Sequence, residues 1–269
     1  MSNSPVFDLK LPEKKKIGLA VCCDWHRGSH TCNESAIDRW IKLIKDNGWY
    51  VILLGDLTEN SLPGSVGDVL RQTMSPDVQV RTTIEKLSPI RDYIIAGCDG
   101  NHGARTVRVA GMNPDEQISS GLGVPHFSNI IRGRIKVGVA NWKVIGHHCA
   151  GGGALMGSKL NVIKKLALID PMYDLYLGAH THGDVSGSDV VYGLSLNGKP
   201  KVTKLTRHFS GCGSTLAYED SYAEAKMLAP AAMCQVVHHL FDKVHRLEDG
   251  AAAEAYYMPY IREPYWLGG

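Results

Sequence analysis

Apolar runs that stop abruptly at polar residues organise the first half of the chain. "KIGLAVCCDWH" (residues 16–26), "WYVILLGD" (49–56) and "RDYIIAG" (91–97) read as buried strands. The stretches between them have helical spacing instead. In "NESAIDRWIKLIKDNG" the side chains of Ile37, Trp40, Ile41 and Ile44 fall on one face, and Gly48 is placed to end the helix. In "SPDVQVRTTIEKL" Val80, Ile84 and Leu87 share a face, Ser75 stands at the capping position and Pro76 suits the first turn. Strand, helix, strand, helix, strand predicts βαβ units with parallel strands.

The pattern then changes. "NPDEQISSGLG" predicts a short capped helix, and "IIRGRIKVGVANWKVIGHH" predicts two β-rich runs that form a hairpin rather than another crossover. "SKLNVIKKLALI" is one more amphipathic helix, placed before the strand "YDLYLGAHTH". Beyond Gly183 come short β-like runs around Tyr192, Val202 and Phe209, and "CQVVHHLF" near the end. No repeat, low-complexity tract or linker divides the chain.

Composition narrows the class without choosing a function. A length of 269 residues suits one large α/β or layered β domain, so a single domain over 1–269 is expected, with residues 1–16 as a polar leader. Hydrophobic residues at 44% and charged residues at 21% set aside disorder, collagen and coiled coil. The net charge of +2 argues neither for nor against nucleic acid. No apolar run approaches the ~20 residues of a membrane span. The basic residues of "MSNSPVFDLKLPEKKK" follow the apolar ones, the reverse of a signal peptide, so a cytoplasmic protein without a membrane partner is expected. Cys22, Cys23, Cys32, Cys98, Cys149, Cys212 and Cys234 include no C-x-x-C pair and read as free thiols in a reducing compartment, most of them small core residues.

Chemistry concentrates where the apolar runs end. Asp24 and His26 close the first, Asp56 the second, Asn101 and His102 follow the third, and His148 and then His180 with His182 end later runs. In an open α/β sheet the carboxyl ends of strands are where ligands bind, so these residues should converge. Oxygen and imidazole donors without thiolate suit Mn²⁺, Fe or Zn²⁺ in a hydrolytic site rather than a structural zinc. With one carboxylate shared, such a set can hold two ions. In an extended chain residues two apart point the same way, so each D-x-H or H-x-H pair can reach one metal region. Any one of these residues alone is more often a satisfied core side chain. Their order and their placement at successive strand ends carry the metal reading.

In that order, Asp24/His26, Gly55-Asp56, Gly100-Asn101-His102, His148 and Gly178 through His182 resemble the D-x-H, G-D, G-N-H, H, G-H-x-H pattern of the calcineurin-like metallophosphoesterase family, over residues 17–183. The resemblance implies an α/β fold of the four-layer αββα kind, two mixed β-sheets flanked by helices, with residues 184–269 completing the second sheet. It implies two divalent ions, Mn²⁺ first, with Fe, Ni or Zn as alternatives. Asp24, His26 and His182 would hold one ion, Asn101, His148 and His180 the other, and Asp56 would bridge. His102 would stand over the site to stabilise developing charge and protonate the leaving oxygen, oriented by Glu59, three residues after Asp56. The implied activity is hydrolysis of a phosphate ester, by in-line attack of a hydroxide that bridges the ions.

Details of the motifs bear on substrate. "HHCAGGGALMGSKLN" resembles a form frequent in phage and bacterial relatives, in which a histidine precedes a glycine-rich loop; the glycines favour His148 and leave His147 as the alternative. Such a protein could be virus-encoded and act in a host cytoplasm. Protein Ser/Thr phosphatases of the superfamily carry arginine at the place of Asn60 and glutamate at that of Gly103, which disfavours phosphoprotein. A phosphodiesterase or nuclease acting on nucleic acid or a nucleotide is preferred to a phosphomonoesterase. Arg105 either grips the substrate phosphate or is a solvated surface charge. His238 and His239 are further ligands or, as neighbours in a strand, opposite-facing core residues. A catalytically silent metal-binding scaffold would have lost ligands that this chain keeps. Nothing in the pattern decides whether the chain forms a homo-oligomer.

Overall fold

The run Lys16–Cys22 forms a strand whose two faces are both covered, which is why it reads as continuously apolar rather than alternating. The computed structural model describes residues 5–63, 69–153, 155–196, 199–225, 227, 230, 233–242 and 260–266. Strands β1 (Phe7–Leu11) and β2 (Lys16–Cys22) lead to helix α1 (Glu34–Asn47), strand β3 (Tyr50–Leu53), helix α2 (Pro76–Leu87) and strand β4 (Ile94–Cys98). Helices α3 (Asn101–Ala110) and α4 (Pro114–Leu122) follow, then β5 (His126–Phe127), β6 (Ile130–Val137), β7 (Ala140–His147), helices α5 (Met156–Lys164) and α6 (Leu166–Ile169), and β8 (Leu175–Gly178). The rest adds β9 (Val185–Ser195), β10 (Lys201–Gly211), the single turn α7 (Tyr222–Ala225), β11 (Cys234–Phe241) and β12 (Tyr260–Trp266).

These strands form two six-stranded sheets, β12-β11-β2-β3-β4-β5 and β1-β6-β7-β8-β10-β9. Both are mixed: β2 to β5 run parallel beside antiparallel β11 and β12, and β7, β8 and β10 run parallel between the antiparallel neighbours β6 and β9. Leu19, Val21, Ile52 and Leu54 of the first sheet meet Ile135, Val144, Leu175 and Leu177 of the second. The alternate residues Ala20, Cys22, Val51 and Leu53 pack instead against Ile37, Trp40 and Ile44 of α1 and Val80 and Leu87 of α2. On the outer face of the second sheet Ile145, Tyr176 and Phe209 meet Val162 and Ile163 of α5 and Leu166 of α6. The chain is therefore an α/β sandwich of two mixed sheets with helices outside them. Each fully buried aliphatic side chain contributes roughly 1.5–3 kcal/mol, so the sheet-to-sheet interior is the main source of rigidity beneath the strand ends.

Local signals mostly work as expected. The Asn33 side chain accepts from Ala36 N at the start of α1, and Gly48 ends it in the left-handed conformation, φ 60°. Ser75 occupies the capping position of α2, yet its hydroxyl donates to Asp77 Oδ1 at 2.6 Å rather than receiving a backbone N–H. Asn113 caps α4 by accepting from the N–H groups of Asp115 and Glu116.

Several expectations need correcting. The leader is not merely polar: its residues Phe7–Leu11 form β1, which pairs in parallel with β6 through Phe7 and Leu11; residues 1–4 lie outside those described. The portion after 184 completes both sheets, since β9 and β10 join one and β11 and β12 the other. Its β-like runs form one long antiparallel hairpin from Val185 to Gly211. Helix α3 was not foreseen at all, because its polar sequence "NHGARTVRVA" buries only Gly103 and Thr106. Before "CQVVHHLF", Tyr222–Ala225 is helical, and residues 226, 228–229 and 231–232 lie outside those described. All seven cysteines are free. Among the described residues no helix is long and apolar enough to cross a membrane.

Candidate metal centre

Both sheets deliver side chains to the same edge. Beyond β2 and β3 the two chains stay bonded as they leave the sheet: Leu54 N donates to Cys22 O at 2.8 Å, Asp24 N to Gly55 O at 3.2 Å and His26 N to Asp56 O at 3.0 Å. Asn101 and His102 open α3 just after β4, His148 follows β7, and His180 and His182 follow β8. The pairs are not extended, contrary to the expectation from their spacing. Asp24, His26, Asp56, His180 and His182 all have left-handed backbones, with φ of 50°, 49°, 49°, 70° and 49°. Thr181 N donates to Ala179 O at 2.8 Å, so His180 sits at the centre of a γ-turn of the rare, strained hand. Side chains two apart converge here because the chain coils after each strand. Strain of this kind persists only where the surroundings over-determine it.

The converged side chains form overlapping groups. Asp24, His26 and His182 lie together, as do Asp56, His148 and His180, and Asp56 also groups with His26 and His102. Asp24 Oδ1 is buried without a hydrogen-bond partner among the described residues, yet it is 3.4 Å from His182 Nε2, 3.8 Å from His26 Nε2 and 3.9 Å from His148 Nε2. His26 Nε2 and His182 Nε2 are 3.2 Å apart. On the other side, Asn101 Oδ1 lies 2.9 Å from His148 Nε2 and 2.8 Å from His180 Nδ1, and His148 Nε2 lies 3.0 Å from Asp56 Oδ2. These are lone-pair atoms turned toward one another, and a divalent cation is the species that such a donor set satisfies. The buried His and Asp groups are thus able to bind a metal ion.

Outer contacts fix how the rings face. His148 Nδ1 donates to the Leu54 carbonyl at 2.8 Å, which leaves Nε2 for the centre. His26 Nδ1 lies 3.1 Å from Glu59 Oε2, and Ser61 Oγ donates to Glu59 Oε1 at 2.7 Å. His102 Nδ1 bonds the backbone carbonyl of Glu59. The expected side-chain pairing of Glu59 with His102 is therefore revised: the carboxylate is 3.8 Å from His102 Nδ1, beyond a hydrogen bond, and engages His26 instead. The reason is the coil at Asp24 to His26, which brings the His26 ring over Glu59.

The charges follow from burial and proximity. Burial alone would raise the Asp56 carboxyl, but His148, His102 and His26 hold it well below the ordinary carboxylate range. Asp24 is likewise lowered against its burial by His182, His148 and His26. Burial opposes a charge on His148, yet Asp56, Asp24 and the Leu54 carbonyl push it up to about 10. Burial takes His102 the other way, down to about 4, although Asp56 and Glu59 oppose the fall. Glu59, which burial would raise, is held at about 2 by its hydrogen bond to His26 and the charges of His26 and His102.

The remaining candidates separate clearly. His148 is 3% exposed and faces the centre, whereas His147 Nδ1 is occupied by an N–H from Cys149 at 2.6 Å and stays outside the groups. Arg105, one turn after Asn101 on α3, has buried Nε and Nη2 atoms with no hydrogen-bond partner among the described residues. Asn60 is buried and bonded to Thr106. A side chain at Gly103 would strike Asp115, since a Cβ there would stand 2.2 Å from Asp115 Oδ2. His238 and His239 lie in β11, paired with Leu19 and Gly18 of β2, and join no group of metal-binding geometry among the described residues; His239 bonds Glu263 at 3.0 Å. Asp115 had no motif to announce it. It accepts from Gly100 N at 2.9 Å beneath the Asn101–His102 turn, and burial together with Asp56 pushes its carboxyl up to about 7.

No family model matches the chain, and a search of curated proteins finds no match. Among solved structures the chain is similar to one described as "GAP50 the anchor in the inner membrane complex of Plasmodium", with 11% identity and a TM-score of 0.35 over 85% of this chain and 82% of that one. A likeness of that degree bears on neither fold family nor function.

Proposed function

We propose that this chain is a metal-dependent phosphoesterase of the calcineurin-like type, acting on phosphodiesters of nucleic acid or nucleotides. One observation carries the reading. A buried carboxylate, Asp56, groups with His148 and His180 on one side, where Asn101 joins them, and with His26 and His102 on the other, and His26 in turn groups with Asp24 and His182. The layering of two mixed sheets between outer helices supports the four-layer αββα family fold.

Divalent cations held by these residues supply Lewis acidity toward a phosphoryl oxygen and toward water. The chain's own groups do the rest. His102 has its Nδ1–H fixed on the Glu59 carbonyl, so Nε2 is the atom turned to the reacting region, 3.8 Å from Asp56 Oδ2. The negative charge of an arriving phosphate raises the affinity of that nitrogen for the proton it then delivers to the leaving oxygen. Arg105 offers Nε and Nη2 donors, which suit a phosphate oxygen. The preference for a diester is supported at Asn60: the residue there is neutral and tied to Thr106, so it brings no second cation for a monoester dianion.

The test is hydrolysis of bis-p-nitrophenyl phosphate against p-nitrophenyl phosphate by metal-stripped protein resupplied with Mn²⁺, with Asp56→Asn as control. Diester cleavage that needs both Mn²⁺ and Asp56 is the expected result. Preference for the monoester would make the protein a phosphomonoesterase. Tight metal binding without turnover of either compound would overturn the enzymatic reading and leave a metal-binding scaffold.

A further inference from the structure

We infer that Glu59 is a positioning residue for one half of the centre: its carboxylate holds His26 in the orientation and tautomer that suit a divalent cation, so the two halves bind such ions with unequal affinity. The inference rests on the metal reading above and goes beyond it by giving the two halves different strengths.

His26 and His148 are the two histidines nearest full burial in the centre, at 3% exposure each, and their outer nitrogens are held by acceptors of different kinds. His148 Nδ1 donates to a neutral backbone carbonyl, that of Leu54, at 2.8 Å. His26 Nδ1 meets a carboxylate, Glu59 Oε2, at 3.1 Å. That carboxylate is itself pinned from behind, because Ser61 Oγ donates to its other oxygen at 2.7 Å. A charged acceptor on one ring nitrogen makes the opposite nitrogen a better donor to a cation, and outer partners of this sort typically change metal affinity by about 10–100-fold.

Glu59 also touches His102, but through a different part of the residue. The bond to His102 Nδ1 comes from the Glu59 backbone carbonyl, while the carboxylate stands 3.8 Å away. Side-chain substitution at position 59 therefore removes the support of His26 and leaves the support of His102 in place. The residue's two contacts can be separated by experiment.

The experiment is calorimetric titration of metal-stripped wild type, Glu59→Ala and Glu59→Gln with Mn²⁺, with thermal unfolding of each metal-free protein to verify folding. Wild type is expected to bind two ions in distinguishable steps. Glu59→Ala should weaken one step by about 10–100-fold and leave the other as it was. Glu59→Gln, whose amide oxygen still accepts from His26 Nδ1, should fall between, and it decides the matter if the alanine variant fails to fold. Equal weakening of both steps, or wild-type binding by both variants, would overturn the inference while leaving the metal reading intact. Failure of wild type to bind Mn²⁺ at all would overturn the metal reading, and this one with it.

Discussion

The backbones of Gly55 and Gly100 pass so close that a β-carbon on Gly55 would stand 2.6 Å from Gly100 Cα, and one on Gly100 would stand 2.1 Å from Asp56 Oδ1. Gly55 additionally has φ 80°, where side chains are strained. The loops after β3 and β4 are thus packed against each other with the shared carboxylate between them. Gly100→Ala is expected to displace Asp56 and abolish binding of Mn²⁺ by titration. Gly157→Ala, where a Cβ meets nothing within 4 Å, should leave binding unchanged and stabilise α5 by up to about 1 kcal/mol in urea unfolding.

The adjacent histidines after β7 should behave oppositely. His148→Ala removes a donor that lies 2.9 Å from Asn101 Oδ1 and 3.0 Å from Asp56 Oδ2, so one binding step should disappear from the titration. His147→Ala removes only an acceptor for Cys149 N, and its expected effect is a stability loss of about 0.5–1.5 kcal/mol with both steps retained.

Arg105 gives a prediction with two readouts. If its unpartnered Nε and Nη2 atoms serve a phosphate, Arg105→Ala should lower kcat/KM for the diester by about 10–100-fold, the worth of a charge-assisted hydrogen bond. Its thermal stability without substrate should not fall, since no intramolecular partner of those two atoms is lost. A drop in stability with unchanged kinetics would return Arg105 to a purely structural place.

Acid sensitivity should arise far from the centre as well as at His102 within it: at His238 in β11 and His208 in β10. His238 is fully buried, and burial, with Arg262, His239 and His208 around it, holds it well below the usual histidine range. His208 is lowered as well, by burial. The unfolded chain takes up protons on both residues as pH falls through about 6.5, and the folded chain refuses them, so stability is lost on acidification. The slope is at most about 1.4 kcal/mol per pH unit for each such group. Urea unfolding between about pH 7 and about pH 5 should therefore show falling stability, and His238→Asn should flatten the profile.

Much of this was legible in the sequence because buried parallel strands announce themselves as apolar runs, and the polar residues that end them stand out. The order Asp24, Asp56, Asn101, His148, His180 placed the donors at strand ends before any coordinate did. What spacing could not give was the backbone beyond the strand. Left-handed φ at Asp24, His26 and His182 leaves no mark in side chains that only rarely adopt it. Helix α3 was missed because the residues it buries, Gly103 and Thr106, make no apolar stripe to detect. Position 59 lies three residues after Asp56 whichever histidine its carboxylate takes, so only the coil of the chain selects His26. Strand β1 was hidden because an edge strand of alternating character looks like a polar leader.

Cross-sheet bonds already meet at this edge: His148 Nδ1 of one sheet donates to Leu54 O of the other, and His180 N donates to Asp24 Oδ2 at 2.9 Å. Elsewhere the two layers meet mainly through apolar contact, which slides more readily than directional bonds, with Trp142 Nε1 to Phe241 O at 3.1 Å and Arg262 Nε to Ser210 Oγ at 2.8 Å among the bonds that also cross between them. Cations gripped by residues from both layers would act as a rivet through the sandwich, and a ligand that binds only the folded form holds it folded in proportion to its own concentration. A chelator would then unfasten a seam, and proteases would find the molecule easier to open.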